Sequence, residues 1–435
     1  MAKILPLLDD EISTRPKRGL RVVHTADWHL GGEIYLHNLL REQERFLHWL
    51  SDQLKAMQAD LLIVAGDIFD NRVPANSAQK IYYEFLSRVH SSGGCEVLIL
   101  GGNHDSVSFL HSPRTLLRCL QVQVQGNLGH DPAELCREIA APQGGTGLLI
   151  GAVPYLREAE VRRVMAGESY QEQRNDFSAG LADCYAQVWA ELEKRQQSLP
   201  QPVPVILTGH LPVTGATLTG DEQSSSAYIG NLLPAGQEIF PAEASYVALG
   251  HLHGAQNLGV RGQIRYSGTP LPLSFSEKEQ RKSVTLLEFG EEFLYRQELP
   301  VEEMYSLQEI TGDWPAITAA LQQLKDVTRP HLLKVSYTGD AAVLTDVGEL
   351  REILRGSEHE LVHFSNQSRM QLRRDKRVRK SLQELTPEQV FQHCLQQWEV
   401  EEEKAQQLLS LFNVAQQQLQ EDAETVAGTA GEAGK

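Results

Sequence analysis

Apolar positions along the chain follow two rhythms. Residues 20–25, 61–65 and 96–100 are short apolar runs of strand length, with 61–65 unbroken as in a strand covered on both faces. Between the first two, Phe46, Leu50, Leu54 and Met57 repeat at helical spacing within residues 39–58. Ile81, Phe85 and Val89 do the same after Asn76, which is expected to cap that helix. Strand and helix alternate, which is the grammar of an α/β fold.

Beyond residue 145 strands dominate: 148–153, 205–208, 246–249 and 264–267, then 283–289 and 293–298 as a hairpin around Gly290. Sheets packed face to face and covered by helices are expected. From residue 300 the pattern restarts as strand 305–310, helix 314–324, strand 332–337, helix 347–354 and strand 361–364, a small α+β unit. Thr386, Pro387 and Gln389 then form an N-cap, a first-turn proline and a capping-box glutamine. The helix they open has Phe391, Leu395 and Trp398 on one side, and a second helix repeats the spacing with Leu408, Phe412, Ala415 and Leu419. The expected organisation is an N-terminal arm (1–19), a catalytic α/β domain (20–299), a small domain with a basic linker (300–385), a helix-loop-helix (386–421) and a disordered tail (422–435).

Composition narrows the picture. At about 150 residues per domain, 435 residues make roughly three domain-equivalents, which excludes a small disulfide-held scaffold. The five cysteines contain no C-x-x-C pair, which suits a reducing cytosol and offers no thiolate cage. The apolar stretch at residues 4–8 is too short for a signal peptide, and no window reaches transmembrane length, so a soluble cytoplasmic protein without membrane contact is expected. A net charge of −17 argues against a surface wholly coated for polyanions. It leaves room for a local patch. Arg369, Arg373, Arg374, Lys376, Arg377, Arg379 and Lys380 set seven bases against the single acid Asp375, a stripe that suits either DNA or a partner surface, or else a solvated helix face.

Five apolar strands end abruptly in metal-type side chains: Asp27 and His29, Asp67, Asn103 with His104 and Asp105, His210, and His251 with His253. Residues two apart in a strand share a face, so Asp27 with His29 and His251 with His253 can each converge. The carboxyl ends of strands are where open α/β sheets build sites. Asp27, His29, Asp67, Asn103, His210, His251 and His253 comprise two carboxylates, an amide and four imidazoles, too many for one transition-metal ion but suited to two. Two ions about 3.5–4 Å apart can hold a phosphate oxygen and acidify a water, so phosphoester hydrolysis is the natural reaction. Taken singly, each motif also reads as a strand-end cap, a turn or a surface loop. His24, His48, His111 and His130 fall outside the pattern and read as packing or surface histidines.

The order D-x-H, G-D-x-x-D, G-N-H-D, G-H, G-H-x-H resembles that of the calcineurin-like metallophosphoesterases. Residues 24–31, 64–70, 102–106 and 267–275 narrow the resemblance to the SbcD family, nuclease subunits of bacterial SbcCD complexes, over about residues 20–420. That resemblance implies a four-layer α-β-β-α sandwich, a small capping domain and a C-terminal helical hairpin. It assigns Asp27, His29, Asp67 and His253 to one Mn2+ and Asp67, Asn103, His210 and His251 to another, with Mg2+ or other divalent ions serving in vitro. It makes His104 the general acid or transition-state donor, with Asp105 its orienter; local turn hydrogen bonding is the other reading of Asp105 and of Asp70. The implied activity is cleavage of DNA single strands and hairpins, and ATP-dependent degradation of duplex ends. The implied partner is an SbcC-type SMC-like ABC ATPase, docked by Phe391, Leu395, Trp398, Leu408, Phe412 and Leu419, within a heterotetramer built on a homodimer and associated with the nucleoid. A self-packed hairpin is the alternative for those helices. A phosphodiesterase of small nucleotides and a catalytically silent DNA-end scaffold remain as alternative functions. The long arm before residue 20 and residues 214–226 depart from the family pattern.

Overall fold

In a computed structural model, residues 3, 5–9, 19–161, 170–218, 234–291, 294–324, 327–340, 346–368, 391, 406 and 408–412 are described. The chain divides into two compact units, Met1–Ser365 and Asn366–Lys435. The strands of the first half are β1 (Leu7–Asp9), β2 (Leu20–Thr25), the short β3 (Glu33–Ile34) and β4 (His37–Asn38), β5 (Leu61–Ala65), β6 (Glu96–Leu100) and β7 (Val122–Gln125). There follow β8 (Cys136–Ala140), β9 (Thr146–Gly151), β10 (Val205–His210), β11 (Tyr246–Gly250), β12 (Gln256–Leu258), β13 (Ile264–Tyr266), β14 (Ser283–Phe289) and β15 (Leu294–Pro300). They form a seven-stranded sheet ordered β1-β15-β14-β2-β5-β6-β7 and a six-stranded sheet ordered β12-β13-β11-β10-β9-β8.

Two-residue periodicity sorts the side chains into layers. Val22, Leu61, Ile63, Leu98 and Leu100 face the second sheet and meet Leu148, Ile150, Ile206 and Ala248 in a core between the sheets. Their neighbours Val23, Leu62, Val64, Val97 and Ile99 face outward onto the helices Leu40–Ala56 and Asn76–Ser92. Leu149, Leu207, Val247 and Leu249 turn to the other side, against the helix Tyr170–Ser198 through Leu181, Tyr185, Val188 and Leu192. The result is an α-β-β-α sandwich. β2, β5, β6 and β7 run parallel, so the loops after β2, β5 and β6 emerge side by side at one end.

Three local expectations change. The N-terminal arm contributes β1, paired parallel with β15, and Asp9 forms a bidentate ion pair with Arg296 at 2.7 and 3.0 Å. Leu5 lies in the core between the sheets. Three strand residues are too few to show a period, which is why the segment does not read as a strand. The 29-residue helix Tyr170–Ser198 is additional to the elements expected from the sequence, although Phe177, Leu181, Tyr185, Val188 and Leu192 stand at helical spacing. Asn76 is the first residue of its helix, while Ala75 occupies the cap position with no side-chain hydrogen bond.

Beyond the sandwich, β16 (Ser306–Gly312), β17 (His331–Tyr337) and β18 (Glu360–Asn366) make a three-stranded sheet in that order. With the helices Trp314–Leu324 and Val347–Ile353 it encloses its own core of Ile310, Ile317, Leu321, Leu333, Val335 and Leu350. In the second unit the Phe391 and Phe412 rings stack at 4.4 Å, while Leu408 and Leu411 are exposed. The expected contact residues Arg369, Arg373, Arg374, Lys376, Arg377, Lys380, Leu395, Trp398 and Leu419 lie outside the described residues. Among the described residues, no helix is long and apolar enough to cross a membrane.

Candidate metal centre

Every expected ligand lies at or just beyond a strand end, and the backbone there is unusual. Asp27, His29, Asp67 and His251 have positive φ, at 54°, 45°, 49° and 97°. Convergence therefore comes from left-handed turns after the strands rather than from alternation within them, which corrects the geometric reason given for the Asp27 and His29 pair. Such conformations cost about 1–3 kcal/mol each and persist where surrounding bonds impose them. Here Asp27 N–H donates to the Gly66 carbonyl and His29 N–H to the Asp67 carbonyl, both at 3.0 Å, lacing the first two ligand loops together. Glycine is required where the loops touch: a Cβ on Gly66 would overlap the His210 ring, and one on Gly102 would overlap the Asp67 carboxylate.

The six-stranded sheet supplies the other half of the cluster. His210 Nδ1 lies 2.8 Å from the Ala65 carbonyl, which as acceptor leaves the lone pair on Nε2. That Nε2 is 2.9 Å from Asn103 Oδ1 and 3.2 Å from Asp67 Oδ2. His251 Nδ1 reaches Asn103 Oδ1 at 3.1 Å, and its backbone N–H donates to both oxygens of Asp27. His29 Nε2 stands 3.6 Å from Asp67 Oδ2, and the His29 and His253 rings lie 5.3 Å apart. Asp67 is thus the residue shared between an Asp27–His29 side and an Asn103–His210 side.

Electrostatics mark the cluster as built for cations. Burial pushes the Asp27 carboxyl up, with the charge of Asp67 adding to it, to about 6. Burial also opposes ionisation of Asp67, but the charge and hydrogen bond of His210, joined by His29 and His104, hold it well below the usual carboxylate range. Burial lowers His29 and His210, yet the surrounding carboxylates outweigh it and raise both to about 9. His29 Nε2 is buried without a hydrogen-bond partner among the described residues, as a ligand atom would be. Asp27, His29 and Asp67 form one group whose donor atoms lie within 4.8 Å of one another, and His29, Asp70 and His104 form a second. The donors fit divalent metal ions. Because His29 and His210 must lose protons to become ligands, metal binding near neutral pH should release protons, and affinity should rise with pH toward about 9. Calorimetric titration in buffers of different ionisation enthalpy measures this, and equal apparent enthalpies would refute it.

Around this cluster are residues whose part the sequence did not reveal. Glu277 is buried and lies 2.9 Å from His253 Nδ1, fixing that ring's tautomer, and Lys282 holds the other Glu277 oxygen. Asp70 serves twice: its carboxylate is 3.5 Å from His29 Nδ1, and its carbonyl lies 2.8 Å from His104 Nδ1. Asp105, expected to orient His104, instead accepts backbone N–H bonds from Ile68 at 3.1 Å, Phe69 at 3.1 Å and Gly102 at 2.8 Å. The ring is held by the Asp70 carbonyl, and Asp105 ties the second ligand loop to the third. Asp105→Ala should therefore lower unfolding stability by about 3 kcal/mol, because buried donors lose a charged acceptor. Denaturant unfolding checks this; a loss under about 1 kcal/mol would contradict it.

His29, Asp67, Asn103, His104, His251 and His253 line one cleft of about 550 Å³, closed on other sides by Tyr155, Val213, Leu218, Leu252 and Leu273. Residues 20–255 match the calcineurin-like phosphoesterase family, and residues 304–399 match the family described as the Type 5 capsule protein repressor C-terminal domain. The chain is 35% identical over 402 residues to the SbcD subunit of the SbcCD nuclease of Escherichia coli K12, covering 90% of this chain and 97% of that protein. The chain belongs to the SbcD family of calcineurin-like phosphoesterases. The SbcCD nuclease subunits of the same name from Rhodobacter capsulatus and Bacillus subtilis are each 32% identical, over 72% and 64% of this chain and 78% and 69% of theirs. The match to the phosphoesterase family, residues 20–255, falls on the sandwich whose strand ends carry the cluster.

Proposed function

We propose that the chain is the nuclease subunit of an SbcCD-type complex and hydrolyses DNA phosphodiesters with two Mn2+ ions. The observation that supports it best is the convergence of Asp27, His29, Asp67, Asn103, His210, His251 and His253 from both sheets into one cluster, at the floor of a cleft that His104 also lines. The relatives' shared name, a nuclease subunit, supports a nucleic acid as substrate. Bound there, divalent ions supply a nucleophile from water and offset phosphate charge. The mixed N/O donor set without sulfur suits Mn, Fe, Zn or Co better than an oxygen-bound Mg2+ or Ca2+, and the family resemblance favours Mn2+ among them.

The chain's own residues set the proton chemistry. The His104 backbone N–H donates to Asp67 Oδ1 at 2.8 Å, which anchors the residue beside the shared carboxylate. Its Nδ1 hydrogen is held by the Asp70 carbonyl. In the doubly protonated ring Nε2 carries the proton handed to the departing oxygen, while Nδ1 keeps its bond. Tyr155, Val213 and Leu252 narrow the cleft and displace water from around the reacting phosphate.

Residues 386–421 dock on an SMC-like ABC ATPase, the phosphoesterase domain spans 20–299, and residues 300–385 make up the capping domain with its basic linker. The complex is a heterotetramer built on a homodimer of this chain and acts in the cytoplasm on nucleoid DNA. The exposed Leu408 supports a docking surface, and the Phe391–Phe412 stack would form its centre. Phe391→Asp should reduce ATPase association at least tenfold in co-purification while leaving Mn2+-dependent cleavage of single strands intact. Undiminished association would assign the stack to self-packing alone.

The function is tested with Mn2+, a labelled DNA hairpin and a chromogenic phosphodiester, with and without the ATPase. Cleavage of the hairpin supports the nuclease. Cleavage of the small ester alone would favour a small-nucleotide phosphodiesterase, and ATPase binding without any hydrolysis would favour a scaffold.

A further inference from the structure

β7 closes one edge of the seven-stranded sheet and β8 one edge of the six-stranded sheet. Between them lies an open groove of about 750 Å³, lined by Arg114, Arg118, Gln121, Gln123 and Arg137, with Glu96 and Glu134. Arg114 and Arg118 stand on the short helix Arg114–Cys119, one turn apart, and Arg137 projects from β8. Three guanidinium groups thus meet in one depression on a chain whose net charge is −17.

How these groups are held indicates what the groove takes. Arg137 is fixed in place: its guanidinium donates to the Glu134 carbonyl, to the Cys136 carbonyl at 3.0 Å and to Gln125 Oε1 at 2.8 Å. Those acceptors are neutral, so its charge is oriented but not cancelled. Among the described residues, neither the Arg114 nor the Arg118 guanidinium makes a hydrogen bond or ion pair, although two carboxylates share the groove with them. Glu96 is engaged by the Gln123 amide instead, at 3.5 Å. Burial lowers the Arg137 pKa, and the charges of Arg114, Arg195 and Arg118 lower it further, so Arg137 is repelled by the two groove arginines beside it. An anion in the groove relieves that repulsion.

The position of the groove identifies the anion. Glu96 and Gln121 lie at its far end and Val124 at its near end. Gln125 pairs with Leu100 and accepts the Gly101 N–H, directly before the loop that carries Asn103 and His104. At about 3.3 Å per strand residue, the groove therefore extends roughly 13 Å away from the metal loop along β7. That length matches about four phosphates of one DNA strand at 3.4 Å each. We propose that this groove is a second contact site for the phosphate backbone of DNA, engaged by duplex lying beyond the scissile position. Arginine and glutamine side chains at the edges of two sheets are phosphate-contacting groups that position without reading sequence. The proposal rests on the nuclease reading above, since that reading brings a polyanion to this end of the sandwich.

The test compares the full chain with an Arg114→Gln/Arg118→Gln double variant and an Arg114→Lys/Arg118→Lys variant, each checked for an unchanged melting curve. Binding of a labelled duplex is followed by anisotropy between roughly 50 and 200 mM salt, and hydrolysis of the chromogenic phosphodiester is measured in parallel. Loss of two phosphate contacts should reduce the slope of log affinity against log salt by about two, making the fall across this range roughly tenfold shallower. The lysine variant should keep the slope, and small-ester hydrolysis should be equal in all three proteins. An unchanged slope in the glutamine variant overturns the proposal. So does an unchanged slope with a loss of dimer mass in light scattering, which would make the groove a surface between copies. Wild-type protein that cleaves the ester but neither binds nor cuts DNA would instead refute the nuclease reading itself.

Discussion

His104→Ala should lower cleavage of a DNA hairpin by about a hundredfold to ten-thousandfold, the range of a positioned general acid, while leaving the content of bound metal unchanged. The geometry separates the two effects. The side chain is held through Nδ1 by the Asp70 carbonyl, whereas the contact with the shared carboxylate is made by the backbone N–H, which alanine retains. The ligand loop should therefore keep its shape when the ring is removed. The loss should fall mainly on kcat, because a proton delivered to the leaving oxygen matters only as that bond breaks. A His104→Ala protein that bound fewer metal ions would move the residue from proton donor to ligand. One with wild-type kcat would remove it from the chemistry.

Asp67→Asn should have the larger consequence. Asp67 is buried and lies within 3.2 Å of His210 and 3.6 Å of His29, between the two halves of the cluster. An amide of the same shape keeps an acceptor for the His104 N–H but removes the negative charge that two cations would share. Metal content should drop from two ions to at most one, and hydrolysis of both DNA and the small ester should fall by at least about a thousandfold. Metal analysis of the purified variant, read beside the rates, checks this. Retention of two ions with full activity would show that the bridge lies elsewhere.

The convergence of the candidate ligands was legible because each demand was local. A carboxylate or imidazole beside a glycine, directly after an apolar strand, needs only a few adjacent residues to show itself, as at Gly66 and Asp67 or Gly102 and Asn103. The sandwich was legible for the same reason, since the alternating faces of β5 and β6 follow from their own sequences. Contacts made across the chain were not. Glu277 lies 24 residues from His253, two positions past the 267–275 segment, and chain closure alone brings them together. Asp105 stands next to His104 in sequence, yet its oxygens turn toward backbone groups near residue 68. The left-handed turns at Asp27 and His29 are imposed by bonds to the neighbouring loop, which no single segment encodes. The groove between β7 and β8 arises because the last strands of two sheets end up adjacent, with arginines separated by some twenty residues.

The donor atoms come from both sheets: Asp27, His29, Asp67 and Asn103 follow strands of the first, and His210 and His251 those of the second. Metal ions that fit here would act as a rivet through the sandwich, so the affinity for metal and the packing between the sheets become one linked equilibrium. A void opened far from the cleft, as by Ile63→Ala or Ile206→Ala, lets the two leaves shift and weakens metal binding without touching a ligand. Conversely, metal occupancy would serve as a gauge of interior packing, readable wherever a titration is easier than an unfolding curve.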